Sequence, residues 1–76
     1  MNADRRKTLT KAAALIAEAK QLIEDVRDEE QDYFDSMPES LQGGDKGTKA
    51  EEAIDGLTEA ADALDELDGT LSSAME

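Results

Sequence analysis

The chain has no cysteine, no histidine and no tryptophan, and only one proline and two aromatic residues in 76. Without cysteine there are neither disulfides nor thiolate-bound zinc, and without histidine the commonest metal ligand and the usual general base near neutral pH are gone. The core of so small a domain rarely supplies more than roughly 3–5 kcal/mol, and natural chains of this size add disulfides, a metal or oligomerisation. The first two are excluded, which leaves oligomerisation as the staple. No apolar run approaches the roughly 18 residues of a membrane span, and no signal-peptide apolar region follows Arg5, Arg6 and Lys7, so a soluble, cytoplasmic protein is expected. Basic residues are scarce too: 8 Lys and Arg face 20 Asp and Glu, a formal net charge of −12. Nucleic acid and anionic lipid both repel such a chain. The expected partner is a protein with a basic surface, with no direct nucleic-acid or membrane contact.

What apolar content there is favours helices. Of 29 apolar residues, 12 are Ala and 8 are Leu, a palette rich in helix formers and poor in strand formers. A heptad frame from Leu9 reads Leu9, Ala12, Ile16, Ala19, Ile23, Val26, Glu30, Tyr33 and Met37, broken only by Glu30. A second frame reads Ala50, Ala53, Leu57, Ala60, Leu64, Leu67, Leu71 and Ala74 without a break, the strongest periodicity in the chain. Between them Pro38 disfavours helical backbone at Met37, and the glycines at 43, 44 and 47 do not continue a helix cheaply. Thr48 and Glu51 have capping-box spacing, which predicts that the second helix starts at Thr48. The expectation is one all-α domain: helix one over about 4–36, a connector over 37–47, which has room for one helical turn at Pro38–Leu41, and helix two over about 48–75. Two such helices form an antiparallel, coiled-coil-like hairpin.

Charge placement agrees with antiparallel pairing. Residues 1–27 carry six basic and four acidic side chains, whereas residues 28–76 carry two and sixteen. Arg5, Arg6, Lys7 and Lys11 stand at a helix start and Asp62, Asp65, Glu66 and Asp68 near a helix end, each the wrong sign for the macrodipole. Side by side in a hairpin the two clusters offset one another, with Lys20 expected near Asp62 and Arg27 near Asp55. Exposed pairs of this kind contribute only about 0–1 kcal/mol each, so they select orientation more than they stabilise.

The apolar stripe is wider than one hairpin covers. Leu15 and Leu22 flank the seam of helix one, and Ile54, Ala61 and Met75 flank that of helix two. A second copy would cover them, giving a homodimeric four-helix bundle with Leu15, Leu22, Ile54 and Ala61 at the dimer interface. The other arrangement is a loosely packed monomer, with Leu15 and Leu22 buried against Met75 and the chain ends.

Catalytic and metal signals are weak. The carboxylates lie on solvated helix faces rather than in a water-poor cleft, Glu-x-x-His pairs are impossible, and Asp45-Lys46-Gly47-Thr48 does not fit a calcium loop. The glycine-containing segment 43–47 lacks the strand and the Gly-Lys-Ser/Thr order of a phosphate loop. No enzyme activity, cofactor or metal is expected. A binding surface is, because the turn end gathers ten acids, among them Asp28, Glu29, Asp32, Asp35, Glu39, Glu51, Glu52 and Asp55, against Lys46 and Lys49 alone. Tyr33 and Phe34 fall in the same place. With Tyr33 as a seam residue, Phe34 either caps the bundle end as a core plug or projects as an anchor ringed by acids.

The segment Tyr33-Phe34-Asp35-Ser36-Met37-Pro38-Glu39-Ser40-Leu41-Gln42, followed by a Gly-containing loop and an Ala/Leu/Asp/Glu-rich helix, resembles a family of small acidic proteins of phages, prophages and plasmids. The resemblance runs from about Glu24 onward. It implies a mobile-element setting and carries no catalytic residues. Two functional classes follow. One is an acidic inhibitor that mimics nucleic acid on a host defence or DNA-processing protein, and the other is a structural or adaptor bundle whose contact is helix on helix and whose acidity only keeps it soluble.

Overall fold

Asn2 is the signal that starts the first helix: its side-chain oxygen accepts from the Arg5 amide at 2.8 Å, a standard N-cap bond. In the computed structural model, which describes residues 1–76, three helices and no strands follow: α1 (Ala3–Asp35), α2 (Glu39–Gln42) and α3 (Asp45–Ala74). The two long helices pack side by side and antiparallel, so that Arg6 meets Met75 and Lys20 meets Asp65. The result is a rod of 58 × 15 × 12 Å. Its Cα radius of gyration is 17.2 Å, against about 11 Å for a globular chain of this length.

The corner is built from the 33–42 block. Ser36 ends α1, its amide and its hydroxyl both donating to the Asp32 carbonyl. Pro38, with φ −58° and ψ 145°, turns the chain, and its carbonyl accepts from the Leu41 and Gln42 amides to start α2. The Gln42 amide side chain reaches back to the carbonyls of Phe34 at 3.1 Å and Met37 at 3.3 Å. It thus satisfies acceptors that a helix C-terminus leaves open.

The second long helix begins three residues before the expected Thr48. Gly44 is its cap residue and Asp45 its first, and the Thr48 amide donates to the Gly44 carbonyl within the first turn. The capping box therefore does not form. Gly47, expected to interrupt the helix, is instead buried inside it, because a Cβ at this position would overlap the backbone of Gln42. The glycine lets α2 and α3 touch. No residue of the chain has positive φ, so neither Gly43 nor Gly44 is there for a left-handed turn.

The seam between α1 and α3 is half the expected one. In α3 Ala50, Leu57, Leu64 and Leu71 are buried or half-buried as the heptad predicts, but their companions are Ile54, Ala61 and Met75; Ala53, Leu67 and Ala74 lie exposed, and only Ala60 is partly covered. In the first frame Leu9, Ala12, Ile16, Ala19, Ile23, Glu30 and Met37 are half-buried, but Arg27 and Phe34 are covered in place of Val26 and Tyr33. A straight helix drifts about 20° per heptad from a 3.5-residue repeat, and that drift rotates Val26 and Tyr33 off the seam. Only Gly47, Ala50 and Ala61 are fully buried, and no large side chain is.

Candidate acidic interaction surface

The turn-end acids are where the sequence places them, and they stay open to solvent. Asp28, Glu29, Asp32, Asp35, Glu39, Glu51, Glu52 and Asp55 are all exposed, while Glu30 is half-buried. Two of the α1 acids have local partners: Asp28 accepts from Arg27 at 3.2 Å and Asp35 from the Gln31 amide at 3.0 Å. Of the two aromatics only Tyr33 leaves its expected place, the seam, while Phe34 takes the first of the two open to it. Phe34 is half-buried at the corner, whereas Tyr33 is 51% exposed, so Phe34 is the plug and does not project as an anchor.

Charge pairing across the hairpin is sparser than the sequence suggests. Lys20 bonds Asp65 at 2.6 Å, which is one turn beyond the expected Asp62. Arg27 does not reach Asp55; it pairs on its own helix with Glu24 at 3.8 Å and Asp28 at 3.2 Å. Arg6 donates from Nε to the Met75 carbonyl at 3.0 Å and makes no ion pair. A cation wrongly placed for α1 thereby caps the C-terminus of α3, whose own last turn holds no base. The hydrogen bond that Lys20 donates to Asp65, with the nearby charges of Asp65, Glu24 and Asp62, raises the Lys20 pKa above the ordinary lysine value of 10.5 despite some desolvation.

The sparse pairing leaves a row of carboxylates on α3 without cations. Glu51, Asp55, Glu59, Asp62 and Glu66 are all exposed, and none has an ion-pair partner. At about 100° per residue they fall within roughly 80° of one another on α3. Glu59, Asp62 and Glu66 belong to this row as much as the turn-end acids do, because no base of α1 forms an ion pair with them. The detectable signal was the spacing of four, four, three and four residues.

No three carboxylates converge to hold a metal ion, and the two shallow grooves, one at Met1 and Leu9 and one between Ile16 and Leu64, hold no buried titratable group. No helix is long and apolar enough to cross a membrane. Of the residues expected at a dimer interface, Leu15 and Leu22 are 66% and 61% exposed and free for one. Ala61 is not, being 2% exposed inside the hairpin, and Ile54 is half-buried beside it on the same seam. The cause is that α1 packs on the opposite side of the Ala50–Leu71 row from the one the unbroken heptad indicates. No family model, no curated protein and no solved structure matches the chain.

Proposed function

We propose that the protein is a non-enzymatic interaction protein whose acidic α3 face occupies a basic surface on a nucleic-acid-handling protein. The observation that carries this reading is the unpaired row from Glu51 to Glu66. Over fifteen residues α3 rises about 22 Å and presents five carboxylates in line, and one DNA strand presents about six or seven phosphates in that length. Glu52 and the turn-end acids Asp28, Glu29, Asp32, Asp35 and Glu39 extend the negative field beyond the row. In the mobile-element setting that the 33–42 block implies, the target is a host defence or DNA-processing protein. Dimerisation into a four-helix bundle belongs to the same reading and gives the assembly two rows.

The test compares capture of bacterial lysate proteins on the immobilised chain with capture on a variant carrying Glu51→Gln, Asp55→Asn, Glu59→Gln, Asp62→Asn and Glu66→Gln. The unmodified chain is expected to retain basic nucleic-acid-binding proteins at low salt, and to release them to added duplex DNA or to raised salt. The variant is expected to fold and to retain none of them. Equal, salt-insensitive retention by both would overturn the reading in favour of the adaptor function, which draws on the exposed apolar side chains of α1.

A further inference from the structure

Half of the unbroken heptad of α3, the row of Ala53, Leu67 and Ala74, is left uncovered by α1. Because α1 takes the Ile54 and Ala61 side of the Ala50–Leu71 row, the positions Ala53, Gly56, Ala60, Ala63, Leu67 and Ala74 form a second seam with the same alternation of three and four residues. All are exposed except Ala60, which is half-buried, and none is charged, although α3 carries nine acids. On α1, Leu15, Leu22, Val26 and Tyr33 are 51–66% exposed. At about 100° per residue these four lie within roughly 20° of a single line, about 27 Å long.

Both stripes sit on one side of the rod. Each is rotated roughly 90° from its own helix–helix contact, in the same sense, and in an antiparallel pair that places them on the same flank. The Lys20–Asp65 pair fixes the register, so that Leu22 is level with Ala63, Val26 with Ala60 and Tyr33 with Ala53. The face is thus a bulky ridge beside a shallow trough of small residues, about 32 Å long and interrupted only by Leu67.

We infer that this face docks a second copy of the chain, with the Leu15–Tyr33 ridge of each copy in the Ala53–Ala74 trough of the other. The inference rests on the dimer reading above and specifies the surfaces that meet. The area favours a second copy. The chain exposes 5527 Å², about 1,000 Å² more than a compact protein of its mass, and a stable dimer needs about 800 Å² from each partner. Shape favours it as well, since a two-fold axis along the rod sets each ridge opposite a trough at the same level, large residues against small. Charge favours the face. The trough carries no acid, and between Leu15 and Tyr33 only Glu29 falls within about 40° of the ridge line, whereas the Glu51–Glu66 side of α3 would set carboxylate against carboxylate in two copies of net charge −12.

The experiment is light-scattering mass and sedimentation equilibrium of the full chain at tens of micromolar, at low and at physiological salt, with circular dichroism as a folding control. The expected mass is two chains, with association tightening as salt rises. Leu22→Glu is expected to weaken association by at least about tenfold. Gly56→Leu tests the trough without touching the hairpin, because a side chain there meets nothing within 4 Å in the single chain. It is expected to retain helicity and run as one chain, whereas Gly69→Leu, equally open but on the acidic side, is expected to remain dimeric. A mass of one chain for the unmodified protein would overturn dimerisation altogether and leave the face to a foreign helix. A two-chain mass that persists in both Leu22→Glu and Gly56→Leu would uphold the dimer and overturn this face.

Discussion

Gly47 and Gly69 are both glycines inside α3, and the same substitution has opposite meanings at the two positions. At Gly69 an added methyl group meets open space, so Gly69→Ala removes the conformational cost of glycine in a helix and is expected to stabilise by about 0.5–1 kcal/mol. At Gly47 the methyl group would strike the Gln42 backbone and force α2 away from α3, so Gly47→Ala is expected to destabilise by about 1–3 kcal/mol. Thermal melts of the two variants with circular dichroism check the sign of each. Lys20 supplies a pH signature. Its folded pKa lies above the ordinary lysine value of 10.5, so its bond to Asp65 stabilises fully below that pH and is lost as pH rises through the raised value. Melts taken from about pH 9 to about pH 12 are expected to fall less steeply for Asp65→Asn than for the unmodified protein. Identical slopes would show that the pair contributes nothing.

The helices themselves were largely legible in the sequence, and the face each one turns inward was not. Leu9, Ile16, Ile23, Ala50, Leu57 and Leu64 point into the hairpin as read, because both possible seams share them. Next to them α3 offers two usable rows, and the wholly apolar one lost to the row interrupted by Asp68. Periodicity counts apolar residues, but it does not say which partner a helix meets first, and α1 can cover only one of two adjoining seams. The start of α3 was missed for a different reason, since a glycine that permits close helix contact reads the same as one that ends a helix. The corner shows a third limit. The turn at Pro38 was legible, yet the bonds from Gln42 to Phe34 and Met37 depend on α2 folding back. Gln42→Ala leaves those carbonyls to solvent and is expected to lower stability by about 1 kcal/mol, some 4–8 °C in a domain of this size. An unchanged melting temperature would show that water replaces the side chain without cost.

At the scale of the whole molecule, a rod with no large buried side chain and a net charge of −12 holds together against its own field. Three ion pairs offset little of that repulsion. Raising ionic strength from about 10 mM to about 150 mM shortens the screening length from about 30 Å to about 8 Å, and the melting temperature is expected to rise. Salt-independent melting would mean that the cations of α1 already balance the acids of α3 at longer range than the ion pairs show. The antiparallel register also dictates an order of events during folding. The Gln42 to Phe34 bond closes a separation of 8 residues, Lys20 to Asp65 one of 45, and Arg6 to Met75 one of 69. Closing the longest loop directly costs about 2 kcal/mol more in chain entropy than closing the shortest, so the hairpin is expected to zip from its corner towards its free ends. Stopped-flow refolding can check this: Phe34→Ala should chiefly slow folding, and Leu71→Ala should chiefly speed unfolding. The acids crowd the end that must close first, so salt should hasten the search for the native hairpin more than it delays its loss.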